Sequence, residues 1–247
     1  MESDYVRVAD TQSRLRNVGY AIAVVIGAFL TGYLLAFVVG QALLLAGFGR
    51  EDTITLVVLF AAQFTGFGLA VLAFVTIRDE RDLFGIHVPT LRDLGWIAIG
   101  FVGLLAAALA LSVVLSQFGA QTATNQVVTE GQRNPDLFLY LVPISVLFVG
   151  PGEELVFRGV VQGLLRRAYG VVPAVLVTSA FFGVAHIFAL TGTGKTAYMA
   201  IAAAMGIVLG LLYERTENVV VPAAVHGLWN AFLFGSLWLT STSAIGG

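Results

Sequence analysis

Gly150-Pro151-Gly152-Glu153-Glu154-Leu155-Val156-Phe157-Arg158-Gly159 places two adjacent carboxylates and an arginine inside an otherwise apolar run. No residue from Leu137 to Gly150 is charged, and none from Gly159 to Leu165. Ionisable groups at membrane depth cost about 2.5–3.5 kcal/mol each on insertion scales, so they mark function by default. The remainder of the chain must supply whatever faces them.

The 247 residues are 58% hydrophobic and 11% charged, with a mean hydropathy of +0.90. A soluble domain carries about 25% charged residues. The composition therefore describes an all-α, polytopic membrane helix bundle. A net charge of −2 is too small to argue for nucleic acid. The absence of cysteine excludes disulfides, thiolate metal sites and a cysteine nucleophile.

Outward from the motif, charge-free runs mark the spans. The first lies within Asn17–Gly49 and exceeds the ~20 residues needed to cross, so it is tilted or ends in an interfacial turn. The second covers Thr53–Ile77, and a charged linker runs from Arg78 to Asp93. The third covers Leu94–Phe118 and is followed by a polar loop, Gly119–Asp136. The fourth runs from Leu137 through the motif to Arg166-Arg167, with a kink expected at Pro151-Gly152. Three more follow at Val171–Leu190, Thr196–Tyr213 and Val219–Leu239. The count is about seven, with eight possible. The organisation is a polar tail (1–16), N-terminal membrane helices (17–134) and a membrane core carrying the motifs (135–240), together one membrane domain. Arginines and lysines concentrate in alternate loops, which predicts a cytoplasmic N-terminus.

Two of the three histidines, His186 and His226, lie inside apolar spans, whereas His87 sits in the charged linker. At 1.5 Å per residue, Glu153, His186, His226 and Asn230 lie roughly 18, 22, 10 and 16 Å from one end of their spans. All four fall within the middle to inner half of a ~30 Å hydrocarbon core, so three spans can converge on one cavity. Glu154 and Arg158 are spaced i, i+4 and share a helix face, while Glu153 points about 100° away. His226 and Asn230 are also i, i+4, and Phe182 stands one turn before His186. Gly159 with Gly163, and Gly206 with Gly210, are expected to let helices approach closely.

A carboxylate, two imidazoles and an amide in a semi-dry cavity suit carbonyl hydrolysis. The carboxylate takes a proton from water, and a histidine or asparagine donor stabilises the oxyanion. A metal is the other reading: Glu153, His186 and His226 make an adequate zinc set, although no His-Glu-x-x-His is present. Thr191-Gly192-Thr193-Gly194-Lys195-Thr196 imitates the end of a phosphate-binding loop. It lacks the glycine required at Ala189 and a preceding strand, so no nucleotide is expected.

Glu153-Glu154-x-x-x-Arg158, Phe182-x-x-x-His186 and His226-x-x-x-Asn230 together resemble the three motifs of the CAAX protease and bacteriocin-processing family, which includes the type II CAAX prenyl endopeptidases. The resemblance covers about residues 135–240. It implies an intramembrane endopeptidase acting on a membrane-associated, lipidated or C-terminal-tail protein substrate, in the plasma membrane of a prokaryote, with a site open to the cytoplasm. By position, Glu153 activates water, His186 orients it, and His226 and Asn230 complete the site. Glu154, Arg158 and Phe182 support it. The resemblance leaves open whether zinc takes part. Two alternatives stand beside it: a non-catalytic scaffold or immunity protein of the same fold, and an ion-coupled transporter with an intramembrane Glu/His relay.

Overall fold

The computed structural model describes residues 10–245, with side chains to residue 242. Eight helices occur among the described residues, and seven are long and apolar enough to cross a membrane. They are α1 (Thr11–Leu45), α2 (Thr53–Arg78), α3 (Leu91–Gln117), the short α4 (Gln126–Arg133), α5 (Asp136–Tyr169), α6 (Val171–Ala185), α7 (Lys195–Thr216) and α8 (Val220–Ile245). A tight turn, His186–Ala189, prolongs α6 to the edge of its span.

The helix starts follow local chemistry. The Asp10 side chain accepts from Ser13 N at 2.9 Å, so α1 begins at Thr11 rather than within the run from Asn17. Part of the expected polar tail is thus helical, and residues 1–9 lie outside the described residues. Thr90 and Asp93 close a capping box at the head of α3. Asn125 caps α4 by accepting from Val127 N at 3.1 Å. The stretch expected to be a plain polar loop, Gly119–Asp136, therefore holds a helix. It also holds a two-residue strand, β1 (Thr124–Asn125), antiparallel to β2 (Leu190–Thr191) after α6. The last helix outruns its expected end at Leu239, because only uncharged residues follow.

The motif helix α5 is continuous through Pro151. A normal α turn at Gly150–Glu154 lies between two wide π turns, Ser145–Val149 and Leu155–Gln162. Pro143 and Pro151, each lacking a backbone donor, flank the first wide turn, and wide turns of this kind are common at functional sites.

Packing around α5 depends on backbone contact. A Cβ on Gly227 of α8 would lie 2.7 Å from Val146 Cα and 2.8 Å from Ser145 O. Gly66 and Gly32 meet similarly, with a built Cβ 2.6 Å from Cα, where α2 crosses α1. Gly206 and Gly210 of α7 face Ser179 and Val175 of α6 as expected of small-residue helix contacts. Gly159 and Gly163 do something else: they receive Phe84 and Leu83 of the α2–α3 linker, not another helix. The main core joins α1, α2, α5 and α6 through Ala28, Phe67, Val160, Val161 and Ala174.

The bundle has two ends. At the end where α1 begins, Arg167 pairs with Glu80, Arg166 with Glu214 at 3.1 Å, and Asn218 exchanges two 3.0 Å hydrogen bonds with the His87 backbone. His87 is otherwise solvent-exposed, as expected of a linker residue. At the opposite end Asn134 donates to Thr53 at 2.6 Å, and β1 pairs with β2.

Candidate active site

Glu153 and Glu154 leave α5 in different directions and meet different environments. Glu154 is fully buried. Its Oε2 lies 3.1 Å from Arg158 Nε, and its Oε1 lies 3.0 Å from His226 Nδ1. A carboxylate only accepts, so Nδ1 is the protonated nitrogen of His226 and donates to it. Glu154 is therefore held between α5 and α8, shared by an arginine and a histidine. The pair with Arg158 was legible from the i, i+4 spacing, but the bond to His226 was not.

Glu153 has no such partner. Its Oε2 makes no hydrogen bond among the described residues and stands 3.7 Å from His226 Nε2. The Glu153 side chain keeps 16% of its exposure, whereas Glu154 has none. It projects into a cavity of about 1090 Å3.

His186, His226 and Asn230 line the same cavity, so the structure brings together all four residues expected to converge. His186 Nδ1 lies 2.8 Å from Phe182 O, one turn back. A carbonyl cannot donate, so Nδ1 carries the hydrogen and Nε2 is left to face the cavity. His186 sits where α6 ends in the tight turn, close to β2, and not midway along a regular span.

Phe182 is the packing centre behind the site. Its ring meets His186 at 4.7 Å, Phe157 at 5.2 Å and His226 at 5.6 Å between centroids, each edge-to-face. Arg158 Cζ lies 5.1 Å from the same ring, a cation–π contact. One aromatic side chain thereby holds both imidazoles and the buried guanidinium.

Sequence reasoning missed several lining residues. Tyr198 of α7 lines the cavity with its ring 6.0 Å from His186, and Asn125 and Gln63 bring further polar groups. Tyr198 and Asn125 are single polar residues near a helix start and Gln63 lies midway along α2, none of them a charge in grease to draw notice. Also missed was Gln162, fully buried on α5, which donates to Gly210 O at 3.1 Å and to Glu214 Oε1 at 2.8 Å.

The donors do not fit the zinc set. Among the described residues no group of three or more His, Cys, Asp or Glu is placed to hold a metal ion.

A family model described as "Type II CAAX prenyl endopeptidase Rce1-like" matches residues 135–232, which run from the start of α5 past Asn230. The C-terminal part of the chain is similar to this family over those residues. Among curated proteins, the chain is 28% identical over 159 residues to the "Membrane-embedded CAAX protease MroQ" of Staphylococcus aureus (strain USA300), covering 60% of each chain. It is 26% identical over 166 residues to the "Putative membrane peptidase YdiL" of Bacillus subtilis (strain 168), covering 64% of this chain and 60% of the relative. The matches thus span about three-fifths of these relatives' length. No solved structure matches significantly.

Proposed function

We propose that the protein is an intramembrane endopeptidase that cleaves a membrane-associated protein substrate with a water activated by Glu153. One observation carries this reading: of the two motif carboxylates, only Glu153 has an unengaged oxygen facing the cavity. Glu154 is ion-paired through Oε2 with Arg158 and bonded through Oε1 to His226, and it is not among the residues that line the cavity.

Each residue then has a distinct task. Glu153 takes a proton from water as the water's oxygen attacks the scissile carbonyl. Its proton passes to the leaving amine as the C–N bond breaks. His226, held by Glu154, presents Nε2 to Glu153 and to the reacting centre. Asn230, one turn on, offers an amide donor for the developing oxyanion, a contribution worth about 2.7–4 kcal/mol where measured elsewhere. His186, with Nδ1 tied to Phe182 O, accepts from the water through Nε2 and aims it. No step is routed through a metal.

The test is Glu153→Gln in reconstituted protein with a reporter peptide. Cleavage should fall by about 10²–10⁴-fold while the thermal transition stays in place. Retained cleavage would overturn the assignment of the base. A protein inactive on every membrane-tethered reporter, in wild-type form, would point to a binding role for the same fold.

A further inference from the structure

The mouth of the cavity lies at the end of the bundle opposite the start of α1. Its rim is built by Thr122, Asn125, Glu130 and Arg133 of the α3–α5 connection and by Thr191 of β2. Its walls come from the first turns of α2, α5 and α7 and the last turns of α6 and α8, all of which reach that same end. Depth is supplied by Phe60, Phe64 and Phe157, with Glu153, His186 and His226 below the rim.

The other end is closed beneath the site. Leu83 and Phe84 of the linker seat on Gly163 and Gly159, and Gln162 is buried against Gly210 and Glu214. Arg166 and Arg167 tie α5 to Glu214 and Glu80, and Val219 N donates to Gly85 O at 3.0 Å.

Positive residues are divided unequally between the two ends. Arg14, Arg16, Arg78, Arg81, Arg92, Arg166, Arg167 and Arg215 flank the closed end, whereas Arg50, Arg133 and Lys195 flank the open one. These stand at the ends of short connections, where lysine and arginine bias sets orientation and acidic residues count little. The closed end is therefore cytoplasmic. A cytoplasmic N-terminus and a cytoplasmic mouth cannot both hold in this fold.

We infer that the cavity opens to the extracytoplasmic face, and that its substrate is a polypeptide segment reaching the membrane surface from outside. The orientation stands on the fold and the charges; the substrate statement rests on the peptidase reading. The polar rim over aromatic walls suits a chain that is extended at the surface and apolar where it enters.

The chain contains no cysteine, so single substitutions report without background. Thr193, exposed in the β2–α7 turn, marks the mouth, and His87, exposed in the linker, marks the closed end. Thr193→Cys and His87→Cys are each expressed in intact cells and treated with a membrane-impermeant maleimide, then again after permeabilisation. Thr193→Cys should label in intact cells and His87→Cys only after permeabilisation. The reverse pattern, or equal labelling of both in intact cells, overturns the inference. Labelling does not depend on cleavage, so an inactive protein labelled from outside would sink only the peptidase reading. For the substrate arm, one reporter segment is tethered by a membrane span in either orientation. Cleavage dependent on Glu153 should appear only when the segment is exported. Cleavage of the cytoplasmic version alone overturns the inference.

Discussion

Gly150 and Gly227 pass backbone against backbone where α5 crosses α8, with a Cβ on Gly150 standing 2.9 Å from Gly227 N. One residue before Gly227 is His226, and four after Gly150 is Glu154. The close crossing is what lets His226 Nδ1 reach Glu154 Oε1 at 3.0 Å. Alanine at 227 must push the helices apart, since the atoms in its way belong to the Ser145–Val146 backbone. Overpacking of this kind costs about 1–3 kcal/mol. Gly227→Ala should lower the thermal transition in detergent and reduce cleavage at least tenfold; Gly235→Ala, at a glycine with open space around it, should do neither.

The two motif glutamates should separate by phenotype. Glu153→Gln removes a base and leaves the buried ion pair untouched. General-base groups contribute about 10²–10⁴-fold, so kcat should fall by that order with little change in stability. Thermal shift and single-turnover cleavage on the same preparation check both halves.

Glu154→Gln leaves Arg158 fully buried without its carboxylate. Breaking a buried pair from one side costs about 3–5 kcal/mol, whereas replacing both partners by apolar groups is often neutral. Glu154→Gln should therefore be strongly destabilised, and Glu154→Leu with Arg158→Met should recover much of the lost transition temperature without recovering activity. A double variant no more stable than the single one would show that the pair does not hold α5.

Phe182→Leu removes the ring that contacts His186, His226, Phe157 and Arg158. Cation–π and aromatic-pair contacts are worth about 0.5–2 kcal/mol each. The variant should fold, lose thermal stability and lose kcat, because both imidazoles gain freedom. Phe60→Leu, on the cavity wall, should instead alter KM for an apolar reporter with kcat nearly kept.

Cleavage should survive chelation. Among the described residues no three His, Cys, Asp or Glu are placed to hold a metal ion, so dialysis against a strong chelator is expected to leave activity within twofold, and elemental analysis should find less than one zinc per chain. Zinc at one per chain, lost in His186→Ala, would reverse this.

Much of the site was legible before the fold. A charge in grease is visible in one dimension, because lipid penalises it wherever the helix faces. Rise per residue gave the common depth of Glu153, His186, His226 and Asn230, and the i, i+4 rule paired Glu154 with Arg158. The roles of Gly150 and Gly227 were hidden, since a glycine reveals close approach only when the approaching backbone is known. The helix at Gln126–Arg133 was masked by polarity, being too short and too wet to register as a span.

By itself, the sequence determined seven spans, the depth of the polar residues and the face each occupies, because hydropathy and helical periodicity are properties of a single segment. Tertiary structure decided that Glu154 is shared between Arg158 and His226, and that Glu153 faces the cavity with an oxygen that makes no hydrogen bond. Those outcomes depend on which helices cross, and at what separation. Periodicity says which way a side chain points, but only packing says what it meets.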